Sequence, residues 1–161
     1  MATDYIGYLP NHYYFGNNLF EMPRLLTSRG DYGILLMASL AKDLDKKPHS
    51  LSEIAASCRL PLTFLEQIAF DLKKSQLLTA QRGRHGGYLL TRRPEMISLV
   101  EILEVLEGPL QTVPCQDSQC SLSDCATRGF WEVLQRHLHK TLQRITLADL
   151  ISGNPHKLIP V

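Results

Sequence analysis

Three cysteines, Cys115, Cys120 and Cys125, stand at even spacing late in the 161-residue chain. They lie in a segment rich in Pro, Gln, Asp and Ser, which is too polar to pack as a core. Thiolates bind soft or borderline metals such as zinc and iron. Structural zinc sites normally use pairs of cysteines, so three evenly spaced thiolates favour an iron–sulfur cluster with a fourth ligand from elsewhere. A zinc site, a reversible dithiol switch and free thiols are the alternatives, and the lone Cys58 is expected to be a small core residue.

The composition predicts one core rather than several domains, because 161 residues with 44% hydrophobic content suit a single compact unit with appendages. The net charge of +1 hides an uneven distribution. Residues 59–93 hold seven basic and two acidic side chains, whereas residues 95–132 hold seven acidic and one basic. This pattern predicts a surface for phosphates beside an acidic half of the molecule.

The chain does not open on a basic region followed by an apolar run, and no apolar stretch approaches the ~20 residues of a membrane helix. We therefore expect a cytoplasmic protein without a membrane partner. Structural disulfides are rare in that compartment, which favours metal or redox chemistry for clustered cysteines. The sequence shows no Ser/His/Asp set, phosphate-binding loop or paired-carboxylate cleft, so we do not expect an enzyme.

A helix-turn-helix followed by a hairpin is predicted for residues 51–90. A serine, Ser50 or Ser52, caps a short helix, and Pro61 opens a second helix that ends near residue 75. The inward face of this second helix carries apolar residues at helical spacing, namely Leu65, Ile68 and Leu72. Two strand candidates, 77–80 and 88–91, then flank a tip rich in glycine and arginine. This order is typical of a winged helix and predicts a mainly α fold with a small β-wing.

The second helix of this unit is expected to enter the major groove of double-stranded DNA. Its outward residues Thr63, Glu66 and Gln67 are the candidates for contacts with base edges. A glutamate in this place accepts a hydrogen bond from cytosine and repels phosphate. It therefore contributes more to the discrimination between DNA sequences than to the overall affinity for DNA. The candidates for wing contacts with the backbone or minor groove are Arg82, Arg84 and His85.

A long helix is predicted after the cysteines, beginning near Ala126. Apolar residues follow one another along it at spacings of 3, 4, 4 and 3, in the order Trp131, Leu134, Leu138, Leu142 and Ile145. This is close to a heptad seam. We predict a contact between two such helices in a homodimer, with an internal core helix as the alternative. The predicted organisation is an aromatic-rich extension (1–23), a winged helix-turn-helix (24–94), a connecting helix (95–110), a cluster-binding loop (111–127) and a dimerisation helix with a tail (128–161).

Several short motifs together resemble one family, the iron–sulfur cluster-sensing winged-helix regulators that include IscR, NsrR and the SUF-operon regulators. The motifs are LTSRGDY at 26–32, LEQI at 65–68, QRGRHGGYL at 81–89 and ITLADL at 145–150, together with the three cysteines. The resemblance implies a homodimeric transcription factor whose long helices cross at the interface. It also implies a 2Fe–2S or 4Fe–4S cluster near that interface, with the three cysteines as ligands and Glu66 tuning the choice of DNA sequence.

Two departures from the family concern the cluster. The spacing between the cysteines is shorter than is usual, and Arg128 stands where IscR has a histidine. Asp31 matches an aspartate that NsrR-type members supply from the partner subunit, and a carboxylate favoured by the dipole at a helix start is an equal alternative. Of the two cluster types, 4Fe–4S is preferred over 2Fe–2S. The resulting hypothesis is a homodimeric repressor that senses iron or cluster status, redox or nitric oxide. The alternatives are a winged-helix regulator with zinc or a thiol switch, and a cluster scaffold that does not bind DNA.

Overall fold

The computed structural model describes residues 27–42, 47–83, 86–112 and 125–153. Arg84, His85, Cys115, Cys120 and the predicted N-terminal extension lie outside these ranges. The described helices are α1 (Ser28–Ala41), α2 (Leu51–Cys58), α3 (Leu62–Lys74), α4 (Leu99–Glu107), α5 (Arg128–Arg144) and α6 (Leu147–Ile151). The described strands are β1 (Leu78–Gln81) and β2 (Gly87–Leu90), with a short 3₁₀ turn at Pro94–Met96. The mainly α fold with a small β-wing is confirmed.

Helices α2 and α3 form the helix-turn-helix. Helix α2 ends at Arg59, whose φ of 56° is the left-handed conformation that turns the chain, and α3 begins directly after Pro61. The predicted inward residues of α3, Leu65, Ile68 and Leu72, are fully buried. Each contributes about 1.5–3 kcal/mol to folding through loss of apolar surface from water, as an upper estimate. Their burial leaves the opposite face of α3 to solvent.

The wing is an antiparallel hairpin whose register runs from Leu78 opposite Leu90 to Gln81 opposite Gly87. The segment before α2 adds a further pairing, because His49 and Tyr88 exchange backbone hydrogen bonds of 3.1 and 2.9 Å. A Cβ at position 87 would lie 2.3 Å from the His49 carbonyl oxygen, so only glycine allows this approach. The wing is thereby fixed relative to the helix-turn-helix.

Glu107, the last residue of α4, caps the start of α1. Its Oε1 accepts hydrogen bonds from the Thr27 backbone N–H at 3.0 Å, the Thr27 hydroxyl at 2.7 Å and the Gly30 N–H at 2.8 Å. The first N–H groups of a helix have no partner within the helix, and a carboxylate is favourable beside the positive end of the helix dipole. A Cβ on Gly30 would lie 2.6 Å from this oxygen, so the cap needs a glycine there. The beginning of α1 is thus held by a residue 80 positions away.

The end of α5 returns to the core and corrects part of the sequence prediction. Ile145, predicted as the last seam position, instead ends the helix and is buried in the core. The Leu99 N–H donates to the Ile145 carbonyl at 2.9 Å, and the Leu147 N–H donates to the Ile97 carbonyl at 2.8 Å. Helix α6 follows α5, and its Leu147 is fully buried. One core cluster includes Ile97, Ile102 and Leu147.

Helix α5 itself is only partly covered. None of its side chains is fully buried. Of the predicted seam, Leu134 is 40% exposed, whereas Trp131, Leu138 and Leu142 are half-buried. The other exposed apolar residues, Phe130 (61%) and Val133 (47%), lie beside the predicted seam and were not part of it.

Candidate nucleic-acid interface and cysteine site

The outward face of α3 carries the predicted base-reading residues. Thr63, Glu66 and Gln67 are all exposed. They line one shallow concavity with three further side chains, Arg29, Phe70 and Asp71. The structure therefore brings the three predicted residues together on one face. It also adds Arg29 from α1 and Phe70 from the next turn of α3, which the sequence interpretation did not single out.

An ion pair joins the start of α1 to this face. The Arg29 guanidinium contacts the Asp71 carboxylate, and each side chain is about one-third exposed (31 and 32%). Pairs this exposed contribute at most about 1 kcal/mol because water screens them. The consequence for the interface is electrostatic, since Asp71 offsets the charge that Arg29 would otherwise offer to a phosphate.

Arg82 lies exposed at the end of β1, directly before Gly83, whose φ of 130° few other residues adopt. This turn carries the backbone into the tip, and the Gly86 N–H donates to the Gly83 carbonyl at 2.9 Å. Arg82 is the predicted wing contact that the structure describes. Arg84 and His85 lie outside the described residues, so their contacts remain predictions.

The basic run of residues 59–93 is not all directed to one surface. The Arg92 guanidinium donates to Glu101 Oε1 at 2.8 Å and to the Met96 carbonyl at 3.2 Å, which turns its charge toward α4. Burial alone would raise the pKa of Glu101, but hydrogen bonds from Arg92 and Ser98 outweigh it and lower the pKa below its ordinary value. The cations left for DNA in the described α3 and wing are Lys73, Lys74 and Arg82, all exposed.

Cys125 lies directly before α5. Its Sγ is 3.3 Å from the Thr127 hydroxyl oxygen. Hydrogen bonds from the Thr127 side chain and backbone lower the pKa of the Cys125 thiol, which favours the thiolate. The thiolate is the form that binds metals, so this residue fits a metal or cluster ligand.

The residues before the segment that holds the other two cysteines are anchored on α5. Gln135 accepts a hydrogen bond from the Thr112 N–H at 2.9 Å, and its amide nitrogen donates to the Leu110 carbonyl oxygen. Gln135 lies about two turns beyond the start of α5, next to which Cys125 sits. Cys115 and Cys120 lie outside the described residues, between Thr112 and Cys125 in the sequence.

Asp31 is exposed in the first turn of α1. Across residues 27–42, 47–83, 86–112 and 125–153, no group of three or more His, Cys, Asp and Glu side chains is arranged to hold a metal ion. Asp31 and Cys125 of one chain therefore do not complete such a site with described residues. Cys58 is half-buried against the core, with its Sγ 3.6 Å from the Ser39 hydroxyl, consistent with the core role predicted for it.

A helix-turn-helix with a paired wing and an exposed face on α3 define a winged-helix DNA-binding regulator. Residues 26–153 match the Rrf2 family, described as an iron-dependent transcriptional regulator. The chain belongs to this family and is a transcriptional regulator, which confirms the family resemblance. The relatives are transcriptional regulators, so the expectation that the chain is not an enzyme is confirmed as well.

Individual relatives and solved structures agree with this assignment. The regulator IscR of Sodalis glossinidius is 33% identical over 130 residues, covering 80% of this chain and 79% of that protein. The structure of CymR, the global cysteine regulator of B. subtilis, has a TM-score of 0.71 at 33% identity and covers 80% of this chain and 97% of that one. The structure of T. potens IscR has a TM-score of 0.67 at 33% identity, covering 79 and 85%. None of the helices in the described part of the chain is long and apolar enough to span a membrane.

Proposed function

We propose that the chain is a homodimeric repressor whose promoter binding is controlled by an iron–sulfur cluster. The ligands are Cys115, Cys120 and Cys125, with Asp31 of the partner subunit as the fourth. The observation that carries the proposal is the position of the three cysteines, in a segment that leads from the DNA-reading unit into α5. The description of the family as iron-dependent supports iron over zinc. Three thiolates and one carboxylate supply the four ligands that such a cluster needs, and we propose 4Fe–4S ahead of 2Fe–2S on the resemblance of Asp31 to the aspartate of NsrR-type members.

The chain's own residues suit this role in three ways. Hydrogen bonds from Thr127 lower the pKa of the Cys125 thiol, which favours the thiolate that binds metal. The cysteine segment ends at the start of α5. Its beginning is held on the same helix, because the Thr112 N–H donates a hydrogen bond to Gln135. Asp31 is exposed, so a second chain can reach it. A cluster bound here would supply chemistry that responds to oxidants, nitric oxide or iron supply.

The dimer is proposed through the first part of α5. Phe130, Val133 and Leu134 form an exposed apolar face on a helix without buried side chains. A second copy of α5 would cover this face with the same residues, as a two-fold interface requires. An aspartate supplied from the partner would couple cluster binding to the geometry of the dimer.

The cluster is tested by anaerobic reconstitution followed by visible spectroscopy and by iron and sulfide analysis. We expect a coloured protein, and Cys125→Ser is expected to lose the colour. Cys58→Ser is the matched control, because Cys58 packs against the core and should leave the spectrum unchanged. A wild-type protein that stays colourless and iron-free after reconstitution would exclude the proposal.

The fourth ligand is tested with Asp31→Ala. We expect an unchanged circular dichroism spectrum, because the side chain is exposed, together with faster loss of the cluster in air. An unchanged cluster lifetime would remove Asp31 from the ligand set.

The dimer is tested with Phe130→Glu, which places a charge on the apolar face of α5. Sedimentation should then show a monomer, whereas Gln143→Glu, which adds the same charge to an exposed position on the opposite side of α5, should leave the dimer intact. A Phe130→Glu variant that remains dimeric would place the interface elsewhere.

A second candidate is a regulator that uses a thiol switch or zinc in place of a cluster. The similarity to CymR, a cysteine regulator, favours it, as does the lowered pKa of the Cys125 thiol. Stoichiometric zinc, or DNA binding that follows a reversible dithiol in iron-free protein, would support this candidate over the first.

A further inference from the structure

We propose that Phe70 reads a thymine methyl group in the major groove and is a determinant of operator sequence. This inference rests on the proposed DNA-binding role of α3. The observation behind it is exposure, because Phe70 is 65% exposed in the middle of a well-packed helix. The neighbouring Ala69 and Leu72 are fully buried, so the exposure does not reflect a loosely packed segment.

Phe70 lies on the same stripe of α3 as the predicted base-reading residues. Thr63, Glu66, Gln67 and Phe70 follow the i, i+3, i+4, i+7 spacing that places side chains on one face of a helix. The four side chains line one concavity. Seven residues of helix rise about 10 Å, which spans about three base pairs. Phe70 therefore extends the reading face by one turn.

The uncharged ring of Phe70 lies among charged side chains. Glu66 is an exposed carboxylate on the same stripe, and Asp71 offsets the charge of Arg29. Lys73 and Lys74, three and four residues beyond Phe70 on α3, are exposed cations that can contact the DNA backbone beside it. Among the base edges of the major groove, the apolar partner for an aromatic ring is the C5-methyl of thymine.

The test removes that methyl group without changing base pairing. An operator is first selected by the wild-type protein from random duplexes, and each thymine is then replaced in turn by deoxyuridine. For the wild type, we expect about a threefold to tenfold rise in Kd at one position, measured by fluorescence anisotropy. Phe70→Ala should raise the Kd for the thymine duplex by a similar factor and should no longer distinguish thymine from deoxyuridine at that position.

Met96→Ala is the matched control, because Met96 is also 65% exposed but lies in the 3₁₀ turn outside the stripe. It should bind and discriminate as the wild type does. The inference is overturned if the wild type tolerates every deoxyuridine, or if Phe70→Ala binds as tightly as wild type or still senses the same methyl. A change in oligomeric state of Phe70→Ala would also overturn it, by assigning the ring to a protein contact. If the wild-type protein selects no sequence from the random duplexes, the proposed function itself is refuted. The other outcomes refute the role of Phe70 alone.

Discussion

The cap that Glu107 places on α1 can be tested by removing its carboxylate. In Glu107→Ala, the N–H groups of Thr27 and Gly30 and the Thr27 hydroxyl lose a shared acceptor. Gly30 is buried, so water replaces that acceptor poorly at its N–H. Glu107→Gln keeps an acceptor oxygen in the same place but removes the charge.

The expected magnitude follows from the number and kind of these bonds. A helix cap contributes about 0.5–2 kcal/mol, and a hydrogen bond to a charged group about 1.5–3 kcal/mol, with contributions that do not add fully. We expect Glu107→Ala to lower the free energy of unfolding by about 2–3 kcal/mol and Glu107→Gln by about 1 kcal/mol. For a chain of this size, the larger loss corresponds to a fall in Tm of about 5–10 °C.

Urea unfolding and thermal melts at one fixed protein concentration measure both changes. Glu104→Ala is the matched control on the same helix, because the Glu104 side chain pairs with His139 at 3.3 Å in an exposed position. We therefore expect Glu104→Ala to lower the free energy of unfolding by less than about 1 kcal/mol. If Glu107→Ala destabilises the protein no more than Glu104→Ala does, the cap contributes nothing beyond an ordinary surface carboxylate and the reasoning is refuted.

Two further predictions concern packing and acid stability. Gly33→Ala should lower the free energy of unfolding by about 1–3 kcal/mol because its Cβ would lie 2.0 Å from Leu106 Cδ1. Gly129→Ala is the control, because a Cβ there meets open space in α5, and it should raise the free energy of unfolding by up to about 1 kcal/mol. Urea unfolding measures both variants, and equal effects would contradict the close approach of α1 and α4. The folded-state pKa of Glu101 is depressed below 4.5, so its contribution is complete above that pH and is lost as the pH falls through the folded value. Glu101→Gln should therefore flatten the fall in urea midpoint below about pH 4.5, and an unchanged slope would contradict this.

The helix-turn-helix could be predicted because its signals are local. Leu65, Ile68 and Leu72 repeat at the helical period and are all fully buried, as the spacing required. The wing followed from a glycine-rich tip between two short apolar runs, and the observed strands begin and end within one residue of the predicted ones. The exposed positions of Thr63, Glu66 and Gln67 then followed from the helical period alone.

The features that the sequence interpretation missed depend on contacts between distant segments. Glu107 carries no local signal of a cap, because the helix that it caps begins 80 residues earlier. Ile145 continues the apolar period of α5, and only the backbone pairing with Leu99 shows that the helix has ended. Phe70 was passed over because apolar helix residues are usually assigned to a core. Its spacing from Glu66 and Gln67 was the available signal.

The backbone pairing between the segment just before α4 and the segment just before α6 has a consequence for how the protein is made. Ile97 and Leu147 lie side by side in the core, yet α5 is synthesised between them. A growing chain therefore leaves the ribosome with its DNA-reading helices formed but with the apolar surface for Leu147 still open. Chains that stop before α6 should accordingly leave this apolar surface exposed and be degraded more readily than the full chain.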